Sequence, residues 1–341
     1  MKVNEIITVG NDGYSYTCGY FTSNKWLGET SVALARSRDK NIGSGSELVI
    51  YDLAQGEIKI VADNLNSWLD YAVFQKKVYY LSGSLICVYD AEDGASKVLF
   101  DMGDFQLGSP HITADGRFMS LFSYSAKEGM RAYRFDIARA DLEFIFARSF
   151  PEPFPIANHL MICPTNENVF FFAHEGDTRF VSDRLWIYDA IKGESRNIAK
   201  QTVNDDGVLE TCFGHEAWSH DGKGIYFVKY ELSHSNPKGI CYTDIEKEGY
   251  EILYTDFEYW HTGVSEDGKY LGADTTGESG FSSVILIDAK SGEQMLIEKV
   301  ASRKSHPNHP HPAVSPEASA LIYNCKINSD FDGVRIALLE K

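Results

Sequence analysis

Histidine recurs at one position of a repeat that runs along this chain. Five of the ten histidines hold that position, each just before a predicted hairpin: His111, His159, His215, His261 and His311. A single such histidine would most simply be a packing residue that bonds to a neighbouring backbone group. Packing could use any polar residue, however, so five histidines in register favour a shared functional surface. Neutral imidazole is also a ligand for Mn, Fe, Ni, Cu and Zn ions.

The segment SHPNHPHPAV strengthens the case for a metal site. His309 and His311 are separated by one residue, so on an extended strand they share a face. His306 lies three positions upstream of His309, on the loop that enters the strand. Together with His261 from the preceding repeat, the two imidazoles predict the first shell of a divalent ion. The alternative is a stiff proline-rich loop whose histidines are solvated.

Cationic side chains are concentrated in one further region. The segment HEGDTRFVSDRLW contains His174 and Arg184, and Arg196 follows downstream. One interpretation is a guanidinium fork that holds a carboxylate, which arginine does better than lysine. The other is an ordinary salt bridge to a neighbouring aspartate such as Asp183. Spacing alone does not separate the two.

The elements that must position these residues are short alternating strands. Six strand-like runs end in an aspartate, and in five of them a glycine-containing turn follows: Asp52, Asp90, Asp136, Asp189, Asp244 and Asp288. A last run, VRIALLE, follows one step later. A second series of hairpins is interleaved with the first, as in PHITADGRFMSLF and GHEAWSHDGKGIYFV. Each unit therefore holds four strands in about 45 residues, the size of a propeller blade.

The repeat predicts an all-β fold, a seven-bladed β-propeller of four-stranded antiparallel blades that forms a single domain over residues 1–341. The last blade lacks one strand, and the N-terminal run NEIITVG could supply it and close the ring. Six or eight blades remain open, because the first hundred residues are the least regular.

Composition excludes several kinds of partner. The chain of 341 residues has 32 lysines and arginines against 49 aspartates and glutamates, a net charge of −17. Nucleic acid and anionic membranes both need a basic surface, so neither is expected. The N-terminus lacks the apolar core of a signal peptide, and six scattered cysteines indicate reduced thiols in a cytoplasmic protein. There is no GxSxG, P-loop or HExxH motif.

Four of these segments resemble one known family. HEGDTRFVSDRLW, GHEAWSHDGK, WHTGVSEDGKYLGAD and NHPHPAVSP are similar, in order and context, to segments of the oligogalacturonate lyases. Those are cytoplasmic seven-bladed propeller enzymes related to the TolB-like repeat proteins. The resemblance covers roughly residues 155–341, a length of about four blades. Residues 1–150 resemble the family poorly.

The resemblance implies a metal, manganese in that family, held by three histidines and a glutamine. The histidines match His261, His309 and His311, and the glutamine position falls on His306. The proposed Brønsted base of the family matches Arg184. Further family positions match His174 and His215.

These observations predict a metal-dependent lyase that cleaves an acidic, uronate-containing oligosaccharide by β-elimination. Substrate contacts are predicted at Arg196, His215 and His111. Arginine is an awkward base because its guanidinium is normally protonated, so His159, His174 or a tyrosine is the rival. A lyase for another linkage, such as rhamnose-linked glucuronate, is one alternative function. The other is a non-catalytic TolB-like propeller that binds a protein partner.

Overall fold

A computed structural model describes residues 1–20, 22–39, 42–277, 280–302 and 306–340. In chain order its strands begin with β1 (Lys2–Val9), β2 (Ser15–Thr17), β3 (Ser31–Ser37), β4 (Ser46–Asp52), β5 (Ile58–Leu65), β6 (Tyr71–Phe74), β7 (Lys77–Ser82), β8 (Leu85–Asp90), β9 (Ala95–Asp101), β10 (Gly108–Ile112), β11 (Phe118–Ser125), β12 (Gly129–Asp136), β13 (Asp141–Arg148) and β14 (Ile156–Cys163). They continue with β15 (Asn166–Glu175), β16 (Leu185–Asp189), β17 (Glu194–Ala199), β18 (Phe213–Trp218), β19 (Gly224–Lys229), β20 (Gly239–Asp244), β21 (Glu251–Tyr254), β22 (Tyr259–Val264), β23 (Tyr270–Thr275), β24 (Phe281–Asp288), β25 (Gln294–Ala301), β26 (Ala313–Val314), β27 (Ala320–Lys326) and β28 (Asp332–Glu340).

These strands form seven four-stranded antiparallel sheets, the blades of a seven-bladed β-propeller, as the repeat predicts. Blades 1 to 6 each take four consecutive strands: β2–β5, β6–β9, β10–β13, β14–β17, β18–β21 and β22–β25. Blade 7 has the order β26-β27-β28-β1. By internal contacts the chain divides into two compact units, Met1–Pro110 with Gly263–Lys341 and His111–Thr262. That residues 1–341 form a single domain therefore stays a prediction.

The N-terminal strand completes the last blade, as predicted. Strand β1 pairs antiparallel with β28, from Lys2 opposite Glu340 to Val9 opposite Val334. Val9 and Val334 belong to a buried cluster that includes Tyr16 and Trp26 of blade 1, both fully buried. Burying such side chains contributes about 1.5–3 kcal/mol each, so the pairing is held by apolar packing as well as by hydrogen bonds.

The repeated aspartates end the third strand of blades 1 to 6. At Asp52, for example, Oδ1 accepts hydrogen bonds from the backbone N–H groups of Ala54 and Gln55, at 2.8 and 2.9 Å. Gly56 then takes a φ of 68°, which favours glycine because it has no Cβ. The aspartate thus turns the chain into the fourth strand, and this local chemistry is what makes the repeat visible in the sequence.

The remaining observations concern the cysteines, the large aromatic residues and membrane spans. All six cysteines are free and buried, as expected for reduced thiols. Trp26, Trp218 and Tyr259 are core residues, whereas Trp68 and Trp260 are only partly buried. Among the described residues no helix is long and apolar enough to span a membrane.

Candidate functional site

Several histidines of the repeat adopt an unusual backbone conformation. His159, His215 and His311 have φ values of 56°, 55° and 46°, in the left-handed region that residues with a Cβ rarely occupy. His159 lies where the pairing of β14 with β15 shifts register, and His215 lies at the matching shift between β18 and β19. Such bulges redirect side chains, and backbone strain of this kind concentrates at functional sites.

The register prediction is wrong for one histidine. In blades 5, 6 and 7 the histidine lies four residues before the serine whose carbonyl closes the first turn: Ser219, Ser265 and Ser315. In blade 3 that turn is closed by Thr113, so the equivalent residue is Ser109, which also has a positive φ of 52°. His111 lies two residues further along β10. Blade 3 therefore places a serine, not a histidine, at the shared position.

Three of the predicted metal ligands come together. One ring nitrogen from each of His261, His309 and His311 lies within 4.8 Å of the others. His261 and His311 are fully buried, and His309 is half-buried. Three imidazole nitrogens form a donor set that suits a divalent transition metal, so the residues present fit the predicted ion. We call this group the histidine triad.

His306 is not a member of the triad. Among the described residues, the triad is the group of histidine, cysteine or carboxylate side chains placed to hold a metal ion. It is exposed, with its ring 4.7 Å from that of His309 and stacked on Trp68 at 6.0 Å between centroids. Trp68 also lies parallel to the ring of His311, at 6.3 Å. Trp68 thus forms one wall beside these histidines, and His306 lies at their exposed edge.

Two buried side chains, Asn324 and Asp274, hydrogen-bond to the backbone of the loop that contains His309 and His311. The amide of Asn324 donates to the carbonyl oxygens of Pro307 and His309, at 3.1 and 2.9 Å, and its Oδ1 accepts from the backbone N–H of Cys18. Asp274 Oδ2 accepts from the backbone N–H of His311 at 3.0 Å. These bonds fix the backbone from which the two imidazoles project. Groups that hydrogen-bond around metal ligands usually orient the ligands in this way.

Replacing Asn324 by aspartate should therefore weaken metal binding. The aspartate keeps an acceptor for Cys18 but loses both donors and places a charge against two carbonyl oxygens. We expect a loss of about 10–100-fold in metal affinity, measured by titration calorimetry with Mn²⁺. Asn328→Asp is the matched control, because Asn328 is exposed and its Oδ1 accepts from the backbone N–H groups of Asp330 and Phe331, a role that aspartate keeps. Equal affinities for the two variants would contradict this role.

A second cluster, in the unit His111–Thr262, is built on a buried arginine. Arg184 Nε donates to Glu216 Oε1 at 2.5 Å, and its terminal nitrogens donate to the two oxygens of Glu175 at 3.2 and 3.3 Å. His159 lies between the carboxylates, with Nδ1 at 3.3 Å from Glu216 Oε2 and Nε2 at 3.5 Å from Glu175 Oε2. We call these four residues the arginine cluster.

The ionised groups of the arginine cluster stabilise one another in their charged forms. Burial alone would lower the pKa of the Arg184 guanidinium, but the charges of Glu216 and Glu175 outweigh it and hold that pKa well above its ordinary value. Burial would raise the pKa of Glu216, yet Arg184 and then His159 hold it well below the ordinary value. Arg184 therefore stays protonated, which makes it a poor candidate for the base.

His174, the next candidate for the base, has both ring nitrogens engaged. Nδ1 lies 2.6 Å from a carboxylate oxygen of Asp183, and Nε2 lies 2.8 Å from the carbonyl oxygen of Phe154. Both partners are hydrogen-bond acceptors, so each ring nitrogen faces a protein oxygen. The ring also stacks on Phe150 at 3.8 Å between centroids. These contacts fix the ring against the loop and leave neither nitrogen facing a substrate.

His215 lies against the histidine triad, with its ring centroid 4.0 Å from that of His261. Burial, and then the neighbouring His261, hold the pKa of His215 well below its ordinary value. Its Nδ1 lies 2.7 Å from the Trp260 carbonyl oxygen and 2.6 Å from the Tyr230 hydroxyl. Two groups thus orient a neutral ring, and Gly214 leaves the space that Tyr230 fills.

The other two predicted substrate contacts lie elsewhere. Arg196 is on β17, the fourth strand of blade 4, where it donates to the carbonyl oxygen of Ile245 and lies 3.9 Å from Glu246. His111 is on β10, and its carbonyl oxygen accepts from the Ser120 hydroxyl at 3.5 Å. Neither residue is among those that define the arginine cluster or the histidine triad. Their predicted contact with substrate is untested.

Sequence reasoning missed the carboxylates and the amide that support the site. Glu175 and Glu216 organise the arginine cluster, and Asp274 and Asn324 support the triad loop. One signal was available for the first pair, because both follow a histidine, in the dipeptides His174–Glu175 and His215–Glu216. Nothing in the spacing of Asp274 or Asn324 marks them.

The structure resembles several solved propellers. No family model and no curated protein matches the sequence. An oligogalacturonate lyase in complex with manganese superposes with a TM-score of 0.78 at 14% identity, covering 100% of this chain and 99% of that one. An oligogalacturonate lyase from Vibrio parahaemolyticus gives 0.77 at 15% identity, covering 100% and 98%. TolB from Acinetobacter baumannii gives 0.52 at 13% identity, covering 91% and 80%. At these identities the likeness is one of fold, and the chain has the seven-bladed fold that the oligogalacturonate lyases have.

Proposed function

We propose that this protein is a metal-dependent lyase that cleaves uronate-containing oligosaccharides by β-elimination. The observation that carries the proposal is the histidine triad, in which an imidazole nitrogen of His261 lies within 4.8 Å of one from each of His309 and His311, on a loop of the next blade. The likeness to two oligogalacturonate lyases, one of them with manganese, supports both the reaction class and the metal. Oligogalacturonate is accordingly the first substrate to test, with rhamnose-linked glucuronate as the alternative.

The reaction needs a group that neutralises charge and a group that accepts a proton. The base removes the C5 proton of a uronate, and the electrons of that C–H bond form a C4=C5 double bond. The C4–O bond breaks with its electron pair on the leaving oxygen, which takes up a proton from the protonated base or from water. The C5 proton lies α to a carboxylate, so its loss builds a second negative charge on that group. A divalent ion held by His261, His309 and His311 would act as a Lewis acid and neutralise this charge. The manganese in the similar oligogalacturonate lyase makes manganese the first ion to test.

Of the three residues named as candidates for the base, we assign the role to His159. Arg184 is held as a cation by two carboxylates, and both ring nitrogens of His174 face protein oxygens. His159 Nδ1 faces Glu216, which is fully buried and can fix the tautomer in which Nε2 accepts the proton. His159 also lies in a left-handed bulge, which turns its side chain out of the regular strand pattern.

The proposal includes a cytoplasmic location and an acidic oligosaccharide as the partner. Six free cysteines, all buried, suit a reducing compartment. The net charge of −17 means that an anionic substrate must meet local positive charge. A divalent ion bound by the triad would provide this local positive charge.

The test combines metal analysis with a substrate panel. We expect the purified protein to contain a stoichiometric divalent metal and to release unsaturated product, followed by its ultraviolet absorbance, from oligomers of galacturonate or glucuronate. Chelation should abolish the product, and Mn²⁺ should restore it. If no uronate of any linkage gives product, the lyase proposal fails. Absence of metal as well would favour the TolB-like propeller that binds a protein.

A further inference from the structure

The two sides of the Arg184 guanidinium are held very differently. On the inner side, Nε bonds at 2.5 Å to Glu216, which is fully buried. On the outer side, the terminal nitrogens bond to Glu175 at 3.2 and 3.3 Å, and the Glu175 side chain is 29% exposed. Charge-assisted bonds of this type normally measure about 2.7–2.9 Å. The inner pair is therefore a fixed structural contact and the outer pair a loose one.

Glu175 lies at the end of its strand. It is the last residue of β15, and the backbone bonds toward β16 end one residue earlier, where the His174 N–H donates to the Arg184 carbonyl oxygen at 2.8 Å. Only Ile156 of β14 lies opposite Glu175 in the ladder. The loop from Gly176 begins directly after it. Rotation of this side chain toward solvent breaks no strand pairing.

The outer face of Arg184 presents two parallel N–H donors, a geometry that matches a carboxylate. We propose that it is a binding site for a uronate carboxylate, and that Glu175 occupies it in the free protein until the substrate displaces it. The identity of the ligand rests on the proposed lyase function. The site itself rests on the two bonds from Arg184 to a carboxylate that is already there.

Displacement avoids the electrostatic difficulty of an acidic protein that binds an acidic sugar. Arg184 carries one positive charge, and Glu216 and Glu175 carry one negative charge each. Exchange of the Glu175 carboxylate for a uronate carboxylate leaves the charge around Arg184 unchanged, while Glu175 gains full hydration. The same movement takes the Glu175 oxygen away from His159 Nε2, 3.5 Å distant in the free protein. The group that we assign as the base is thereby exposed to the substrate as it binds.

Binding of galacturonate monosaccharide tests the proposal separately from catalysis, because the monosaccharide has no glycosidic leaving group at C4. By titration calorimetry on the full chain with its metal, Glu175→Gln should bind galacturonate about 3–10-fold more tightly than the wild type, since the competing carboxylate is gone. Binding of galactose, which has no carboxylate, should not change. Glu175→Asp, which keeps the charge but shortens the reach to Arg184, should also bind galacturonate more tightly.

Asp177→Asn is the matched control, because it removes one negative charge from the same loop. Asp177 pairs with exposed Arg179, and asparagine keeps the Oδ1 that accepts from the Arg179 backbone. If Glu175→Gln and Glu175→Asp bind galacturonate no more tightly than Asp177→Asn, the displacement proposal is overturned. Tighter binding by Glu175→Gln without lyase product from any uronate oligomer would support the carboxylate site and reject the lyase function.

Discussion

Replacement of His309 by alanine should abolish stoichiometric metal binding. The triad would fall from three imidazole nitrogens to two, too few for a stable site of this type. His309 is the triad member that is only half-buried, so its truncation disturbs packing least. Elemental analysis of the purified variant gives the first readout. Thermal melting gives the second, because metal at a hundred times its Kd should stabilise the wild type by about 2.7 kcal/mol and the variant not at all.

His306→Ala is the control for this experiment. His306 is exposed and lies outside the triad, although the family resemblance places it at the fourth ligand position. Retention of metal by His306→Ala, with loss in His309→Ala, is the expected pair of results. If His309→Ala keeps its metal, the ligands lie elsewhere. If both variants lose it, His306 completes the coordination shell.

The second large effect should follow removal of Glu216. Truncation of one partner of a buried ion pair costs about 3–5 kcal/mol. Here Arg184 would lose its fully buried partner and keep only the looser contact with Glu175. We expect Glu216→Ala to lose free energy of unfolding in this range, measured with denaturant. Glu143→Ala is the matched control, because Glu143 bonds to Arg134 at 2.6 Å but is 57% exposed. It should lose about 0–1 kcal/mol. Similar losses in both variants would show that burial does not set the strength of the Arg184–Glu216 pair.

The same pair should make the stability depend on pH in a defined direction. Arg184 and then His159 outweigh burial and hold the pKa of Glu216 below its ordinary value of 4.5 in the folded protein. A depressed carboxyl pKa contributes stability that is complete above the unfolded value and is lost as the pH falls toward the folded value. The free energy of unfolding should therefore decline below about pH 4.5, and less steeply in Glu216→Gln than in the wild type. Parallel curves would contradict this assignment.

The fold was predictable because its signals are local. Each aspartate that ends a third strand accepts a hydrogen bond from the backbone N–H two residues later, and at Asp189 and Asp288 also from the one three residues later. The turn is therefore specified within a few residues. The closing strand was predictable by counting, since blade 7 lacked one strand. The displaced register of His111 was not visible, because the spacing was read from the histidines themselves and not from the turn at Thr113.

The site was predictable only in part. The repeat identified His261 and the histidine-rich run identified His309 and His311, but the predicted strand alternation is wrong for the last two. Both lie on the loop before β26, and His311 has a φ of 46°. The partners of Arg184 could not be identified from the sequence in the same way. Neighbouring Asp183 was the simplest expectation, but Asp183 bonds to His174, and Arg184 reaches Glu216, which is 32 residues away on blade 5. Contacts between blades depend on packing, and a pattern within one strand does not report them.

The pairing of β1 with β28 also has a consequence for how the chain is made. Strand β1 ends at Val9, whereas its partner β28 begins at Asp332, so most of the propeller is synthesised between the two. At ribosomal rates of about 5–20 residues per second, β1 must wait for tens of seconds before it can pair. Throughout that time Val9 lacks the strand that covers it, and one side of the growing propeller keeps an open β-edge. Completion of the fold is therefore the step at which this protein most needs protection from aggregation.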